Sequence, residues 1–252
     1  MGLGKHRHRE CRLNKSLRTS KLCCNFRGLQ VPPLALPPII PDSNFEPNRL
    51  APENPYPAAV HDCWETIIWL NSTGALLLSI DLSKVAVGGS SAGGNLAAIM
   101  CHKALSAPAI VPKFVTQLLI VPVIDNTATP ADNKSWKDCE FTAALPAEKM
   151  MWFRNHYLPD KKRRLEPEAS PLFYEDGWTE QPKALVVVGE YDVLRTEGEL
   201  YAEKLRRGGI TVNLQVMKGM PHPFLAMDGV LRQGRDTITF MVETLKEAFG
   251  SN

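Results

Sequence analysis

Gly89-Ser90-Ser91-Ala92-Gly93 fits the spacing G-x-S-x-G, which sets a serine on a sharp turn between a strand and a helix. A hydroxyl held there becomes a nucleophile when a base takes its proton and a carboxylate orients that base. Groups able to do so occur later in the chain. Asp192 comes just past the apolar run Ala184-Leu185-Val186-Val187-Val188-Gly189, and His222 lies in the loop Lys218-Gly219-Met220-Pro221-His222-Pro223-Phe224. A serine, then an acid, then a histidine, each after a strand, is one of the chain orders such triads take. Other histidines fit less well: His61 and His102 fall in helical patterns and His156 in a polar insertion. The competing reading of the pentapeptide is an ordinary Gly/Ser loop. The apolar run Val85 to Val87 before it and the helical pattern Leu96 to Met100 after it argue against that.

These residues need a framework. The turn at Ser91 is expected to carry an unfavourable backbone angle, leaving no room for bulk two residues to either side, at Gly89 and Gly93. The next helix, expected from about Ala92 to Leu105, points its N-terminus at the site and favours negative charge there. Upstream, Val60, Trp64, Ile67 and Ile68 form one helical face. Phe114 to Ile124 reads as a buried strand. Residues 125–180 are polar and irregular, with one helix expected near Ala147 to Tyr157, an insertion of the kind that can lie over a site as a lid. The run ending at Gly189 and the segment Ile210 to Val216 read as strands. Between them, Thr196 and Glu199 have capping-box spacing for a helix ending near Gly208-Gly209. Thr237 to Phe249 closes the chain as an amphipathic helix. Alternating strands and helices imply an α/β fold on a mostly parallel sheet with helices on both faces.

The 252 residues allow one sizeable core, and 44% hydrophobic with 22% charged residues is ordinary for a globular protein. Residues 1–28 hold eight Lys or Arg and one acid, a local +7, which leaves −5 on the rest against a total of +2. That balance gives no support for a nucleic-acid partner. The six cysteines form no C-x-x-C pair and read as free thiols in a reducing compartment, with no metal site. No apolar run approaches the length of a membrane span. The expected location is cytoplasmic. A mitochondrial presequence in 1–30 is the less favoured alternative. Nine prolines within 31–57 exclude a sustained helix or central strand there. Residues 1–48 are therefore expected to be a disordered, basic and proline-rich segment before a domain spanning 49–252.

Several separated stretches then resemble one family. R-L-A-P-E-N-P-Y-P-A-A at 49–59, G-S-S-A-G-G at 89–94, Y-D-V-L-R-T-E-G-E at 191–199, H-P-F at 222–224 and E-A-S-P-L at 168–172 are similar to the hormone-sensitive-lipase-like esterases of the α/β-hydrolase fold-3 family, in that family's order. The resemblance implies that Ser91 is the nucleophile, Asp192 the acid and His222 the base. It further implies that the backbone N–H of Ala92 binds the oxyanion, and that carboxylic esters of short to medium acyl chains are hydrolysed without a cofactor. A small-molecule ester is the implied partner; oligomeric state stays open. Ser90 and Pro223 depart from residues common in the family, and neither removes a triad group. The larger departure is that no H-G-G-G occurs in the 252 residues, whereas the family carries this oxyanion loop upstream of R-L-A-P-E. The strands expected before Arg49 are missing as well. Impaired hydrolysis is the expectation. A second reading is a non-catalytic small-molecule binder, like the plant gibberellin receptors that resemble this family; those lack the triad histidine, which is present here as His222. A third is the inactive product of a mis-assembled gene.

The third reading has a specific form. Codons can be chosen for Met1 to Cys11 that, read one base later, give W-V-L-G-N-I-D-T-E-N-A, which resembles the stretch after H-G-G-G in the family. Ser20 to Gln30 in the same frame can give S-C-V-V-I-S-V-D-Y-R. Residues 31–48 are then retained intron. The expected genomic sequence has an open H-G-G-G frame directly upstream of the start codon. Sequencing that DNA decides the matter, and its absence there removes this reading.

Overall fold

The computed structural model describes residues 49–250. The expectations for 1–48, including the missing strands, the disorder and the presequence, lie outside the described residues. Four strands form one parallel sheet: β1 (Val85–Ser90), β2 (Phe114–Ile120), β3 (Lys183–Gly189) and β4 (Val212–Met217) in the order β1-β2-β3-β4. Parallel neighbours need crossovers, and helices supply them: α3 (Ala92–Leu105) after β1 and α6 (Arg195–Arg207) after β3. Ahead of the sheet, α1 (Ala58–Trp69) runs through a π-turn (Leu70–Gly74) into the short α2 (Ala75–Leu78). Within the long β2–β3 connection lie α4 (Lys134–Asp138) and α5 (Ala147–Tyr157), and α7 (Arg232–Phe249) comes after β4.

Both faces of the sheet are covered, so its strands are apolar on both sides. In β3, Ala184, Val186 and Val188 turn to the layer of α1, α3 and α6, against residues such as Val60, Ile99 and Leu205. Leu185 and Val187 face the other way, with Leu245 of α7 and Phe224. The expected helices over Ala92–Leu105 and Ala147–Tyr157 are found with those bounds. Among the described residues no helix is long and apolar enough to cross a membrane.

Four local expectations are corrected. β2 stops at Ile120 instead of Ile124, because Val121 adopts φ +42° and Pro122 brings no N–H to the ladder. The last helix starts at Arg232, five residues earlier than its apolar pattern suggests. The insertion holds a second α-helix, α4, which buries Trp136 completely, and two 3-10 turns, Lys161–Leu165 and Pro171–Phe173. The capping box of α6 does not form: Leu194 is the N-cap, Thr196 is already inside the helix, and Glu199 pairs with Arg195 at 3.3 Å.

What replaces the lost ladder beyond Ile120 is a buried carboxylate. Glu197 of α6 has no exposed surface. Its Oε1 accepts from the N–H groups of Ile124 (2.8 Å) and Asp125 (3.2 Å), and its Oε2 from Trp136 Nε1 (3.1 Å). Burial pushes its pKa up to about 8, with the donors opposing that rise. Between about pH 4.5 and 8 the folded chain therefore holds a proton that the unfolded chain has released. The contribution of this group to stability falls as pH rises through that window. Thermal midpoints at pH 5 and pH 8.5 are expected to show a smaller loss in Glu197→Gln than in the parent. Equal losses would mean that Glu197 does not titrate in this range.

Candidate active site

The strand–helix turn is built by backbone geometry. Ser91 sits between β1 and α3 at φ +58°, ψ −117°, a region strained for a residue with a side chain. Its N–H donates to Ile120 O at 2.8 Å, and its carbonyl accepts from Asn95 N (3.1 Å) and Val123 N (3.3 Å). A Cβ on Gly89 would lie 2.3 Å from the carbonyl carbon and oxygen of Gly93. On Gly94 it would come within 2.8 Å of Pro122 Cβ, whereas on Gly93 it would meet nothing within 4 Å. The expected tightness thus holds at Gly89 but not at Gly93, whose own backbone is what a Cβ on Gly89 would meet, and the second tight glycine is Gly94. α3 has no side-chain cap, and the first N–H groups of a helix, unpaired within it, favour an anion.

Asp192 lies in the turn after β3 and has no exposed surface. Tyr191 N–H donates to Met220 O at 2.9 Å, tying this turn to the loop that carries His222. Gly189 makes the approach possible, since a Cβ there would lie 2.7 Å from Met220 O. His222 opens a 3-10 turn (His222–Met227) anchored by the fully buried Phe224. The three side chains meet. His222 Nε2 is 2.8 Å from Ser91 Oγ, and His222 Nδ1 is 2.8 Å from Asp192 Oδ2. Leu194 N–H donates to Asp192 Oδ1 at 3.0 Å. The carboxylate thus accepts on both oxygens, and His222, bonded through Nδ1, can offer Nε2 to the serine proton.

The other histidines sit elsewhere. His61 is exposed on α1, and His156 packs edge-on to Trp152. His102 is buried and stacked 4.0 Å from Tyr174; burial pushes its pKa down to about 3 and keeps it neutral. Three supporting residues escaped the sequence reading. Asn95 Nδ2 donates to Val123 O (2.9 Å) and Ala169 O (3.0 Å), tying α3 to the A-S-P-L segment; its signal was an amide beginning the apolar run Leu96 to Met100. Glu197 and Ser135 bridge elements 61 to 73 residues apart and carry no local signal. A cleft lined by Leu165, Leu172, Tyr174 and Lys204 contains none of the three meeting side chains. Among the described residues, no three His, Cys, Asp or Glu side chains are grouped to hold a metal ion.

Comparison with known proteins gives a consistent picture. A family model of the alpha/beta hydrolase fold matches residues 48–226. An AB hydrolase superfamily protein of Schizosaccharomyces pombe is 48% identical over 188 residues, 74% of this chain and 55% of that protein. An arylesterase of Saccharolobus solfataricus is 35% identical over 202 residues, 80% of this chain and 62% of that protein. The chain thus spans little more than half the length of these relatives. Among solved structures, a thermostable carboxylesterase cloned from a metagenomic library superimposes with a TM-score of 0.73 at 33% identity, over 80% of this chain and 67% of that one.

The turn yields a paired prediction. Gly89→Ala forces a Cβ into the Gly93 backbone, and such overpacking costs about 1–3 kcal/mol or more. Its thermal midpoint is expected to drop by several degrees, at roughly 2–4 °C per kcal/mol for a chain of this size. Gly93→Ala meets open space and gains helix propensity of roughly 0.5–1 kcal/mol, so its midpoint holds or rises. Equal destabilisation by the two would show that the close approach at Gly89 does not govern the turn.

Proposed function

Because this chain belongs to the alpha/beta hydrolase fold family, we propose that it is a serine hydrolase of carboxylic esters with short to medium acyl chains. The observation that carries the reading is the unbroken line from Ser91 Oγ through His222 to Asp192, with both contacts at 2.8 Å. In this reading Ser91 Oγ attacks the ester carbonyl carbon while His222 Nε2 takes its proton. The C–O bond to the alcohol breaks, and the imidazolium returns the proton to the leaving oxygen. Water, deprotonated by His222, then attacks the acyl-enzyme and releases the acid and Ser91. Asp192 holds the imidazole in one tautomer and stabilises its charged form. Relatives named as an arylesterase, an ethyl acetate hydrolase and a carboxylesterase support the substrate class.

Negative charge develops on the carbonyl oxygen, and donors must already point at that position. Among the described residues the donor in this reading is the N–H of Ala92 at the start of α3. The sequence has no H-G-G-G segment to add others. Loss of one such donor typically lowers turnover by about 10²–10³, so hydrolysis of p-nitrophenyl acetate is expected to fall well below that of relatives that carry the loop.

The test uses the full chain and a fluorophosphonate probe alongside ester turnover. Labelling of the parent and its loss in Ser91→Ala are expected. Ser91→Ala, His222→Ala and Asp192→Asn should each lower turnover by at least about 10³, and the Ser91→Ala, His222→Ala double variant should fall little further, because the triad acts as a unit. A folded chain that neither labels nor turns over ester would overturn the proposal in favour of a binder or an inactive hydrolase on the same fold.

A further inference from the structure

On the side away from His222, the carboxylate of Asp192 is held by a single peptide plane. Val193 C=O and Leu194 N–H belong to the same rigid unit. The N–H end donates to Asp192 Oδ1 at 3.0 Å. The C=O end accepts from Ser135 Oγ at 2.6 Å. Ser135, in turn, is 2% exposed and fixed on its other side. Thr196 N–H donates to Ser135 Oγ at 3.0 Å, and Ser135 N–H donates to Thr196 Oγ1 at 3.1 Å. Its hydroxyl has one other acceptor in reach, Asn133 Oδ1, at the longer distance of 3.2 Å.

We propose that Ser135 is a positioning residue for Asp192, setting the tilt of the Val193–Leu194 peptide and through it the plane of the carboxylate that faces His222. The donors run in one direction. Thr196 N–H donates to Ser135 Oγ, Ser135 O–H to Val193 O, and Leu194 N–H to Asp192 Oδ1. His222 Nδ1 and Ser91 Oγ continue the line on the far side of the carboxylate. Hydrogen bonds so connected polarise one another, and a buried network holds one geometry only when all its members are satisfied.

The surroundings keep Ser135 in place independently of the triad. Trp136, its neighbour, is anchored to Glu197. Further along the same segment, Cys139 Sγ lies 3.9 Å from Glu190 O and Thr142 Oγ1 donates to Tyr191 O at 2.6 Å. The stretch 135–142 therefore braces 190–197, with Asp192 in its middle. Ser135 also supplies in trans the cap that the sequence spacing at Thr196 and Glu199 suggested in cis. The proposal rests on the hydrolase reading only for its effect on rate.

The experiment reads the downfield proton NMR resonance of His222 Nδ1–H in the full chain, assigned by its loss in His222→Gln. Two variants are compared with the parent. Ser135→Ala removes the donor, and Ser135→Cys fills the same space with a weaker one. The resonance is expected to move upfield or vanish into exchange in Ser135→Ala, with an intermediate effect in Ser135→Cys. In turnover, Ser135→Ala should lower kcat about tenfold with KM within about twofold, and should add nothing in an Asp192→Asn background. An unchanged resonance in a folded variant overturns the proposal. So does an equal loss of kcat in the Asp192→Asn background, absence of the resonance from the parent, or failure of both variants to fold. Full turnover by Ser91→Ala would sink the hydrolase reading while leaving the resonance test standing, so the two failures are told apart.

Discussion

The backbone contact between Gly89 and Gly93 is the constraint on which the site depends. The chain must leave β1, reverse at Ser91 with a positive φ and enter α3 within a few residues. It can do so only if β1 and α3 nearly touch, and a single methyl at Gly89 would collide with the helix backbone. That turn is further held by β2, whose Ile120 carbonyl accepts the Ser91 N–H. The strain is thus balanced by the sheet around it.

Parallel pairing does the rest of the gathering. All four strands run the same way, so their C-terminal ends lie along one edge. Ser91 comes after β1, Asp192 after β3 and His222 after β4. Side chains 131 and 30 positions apart come within hydrogen-bond reach because the loops that carry them leave the sheet at that edge. The loops are in turn laced together, with Tyr191 N–H on Met220 O and Gly189 lying under the His222 loop.

Burying charge and polarity beside such a site is unfavourable unless each group finds partners. Asp192, Glu197, Asn95 and Ser135 are all buried, and each is hydrogen-bonded on more than one side. Together they join the segment after β2, the first turn of α4 and the start of α6 into one polar layer. Three N–H donors, one of them Trp136 Nε1, and the proton that burial keeps on Glu197 up to about pH 8 together let this carboxyl group be buried.

The sequence by itself determined whatever depends on neighbours in the chain. The glycines around Ser91, the apolar runs of β1 and β3, the bounds of α3 and α5, and the Ser, Asp, His order are local or periodic signals. Steric and hydrophobic rules read these directly. Tertiary structure alone decided what depends on groups meeting across the fold. It ended β2 at Ile120, passed the cap of α6 from Thr196 to Ser135, made Gly94 rather than Gly93 the second tight glycine beside Gly89, and gave Glu197 its three donors. A hydrogen bond between residues some sixty positions apart leaves no trace in either one's immediate neighbours. Its donor and acceptor are paired only by the packing of the elements that carry them.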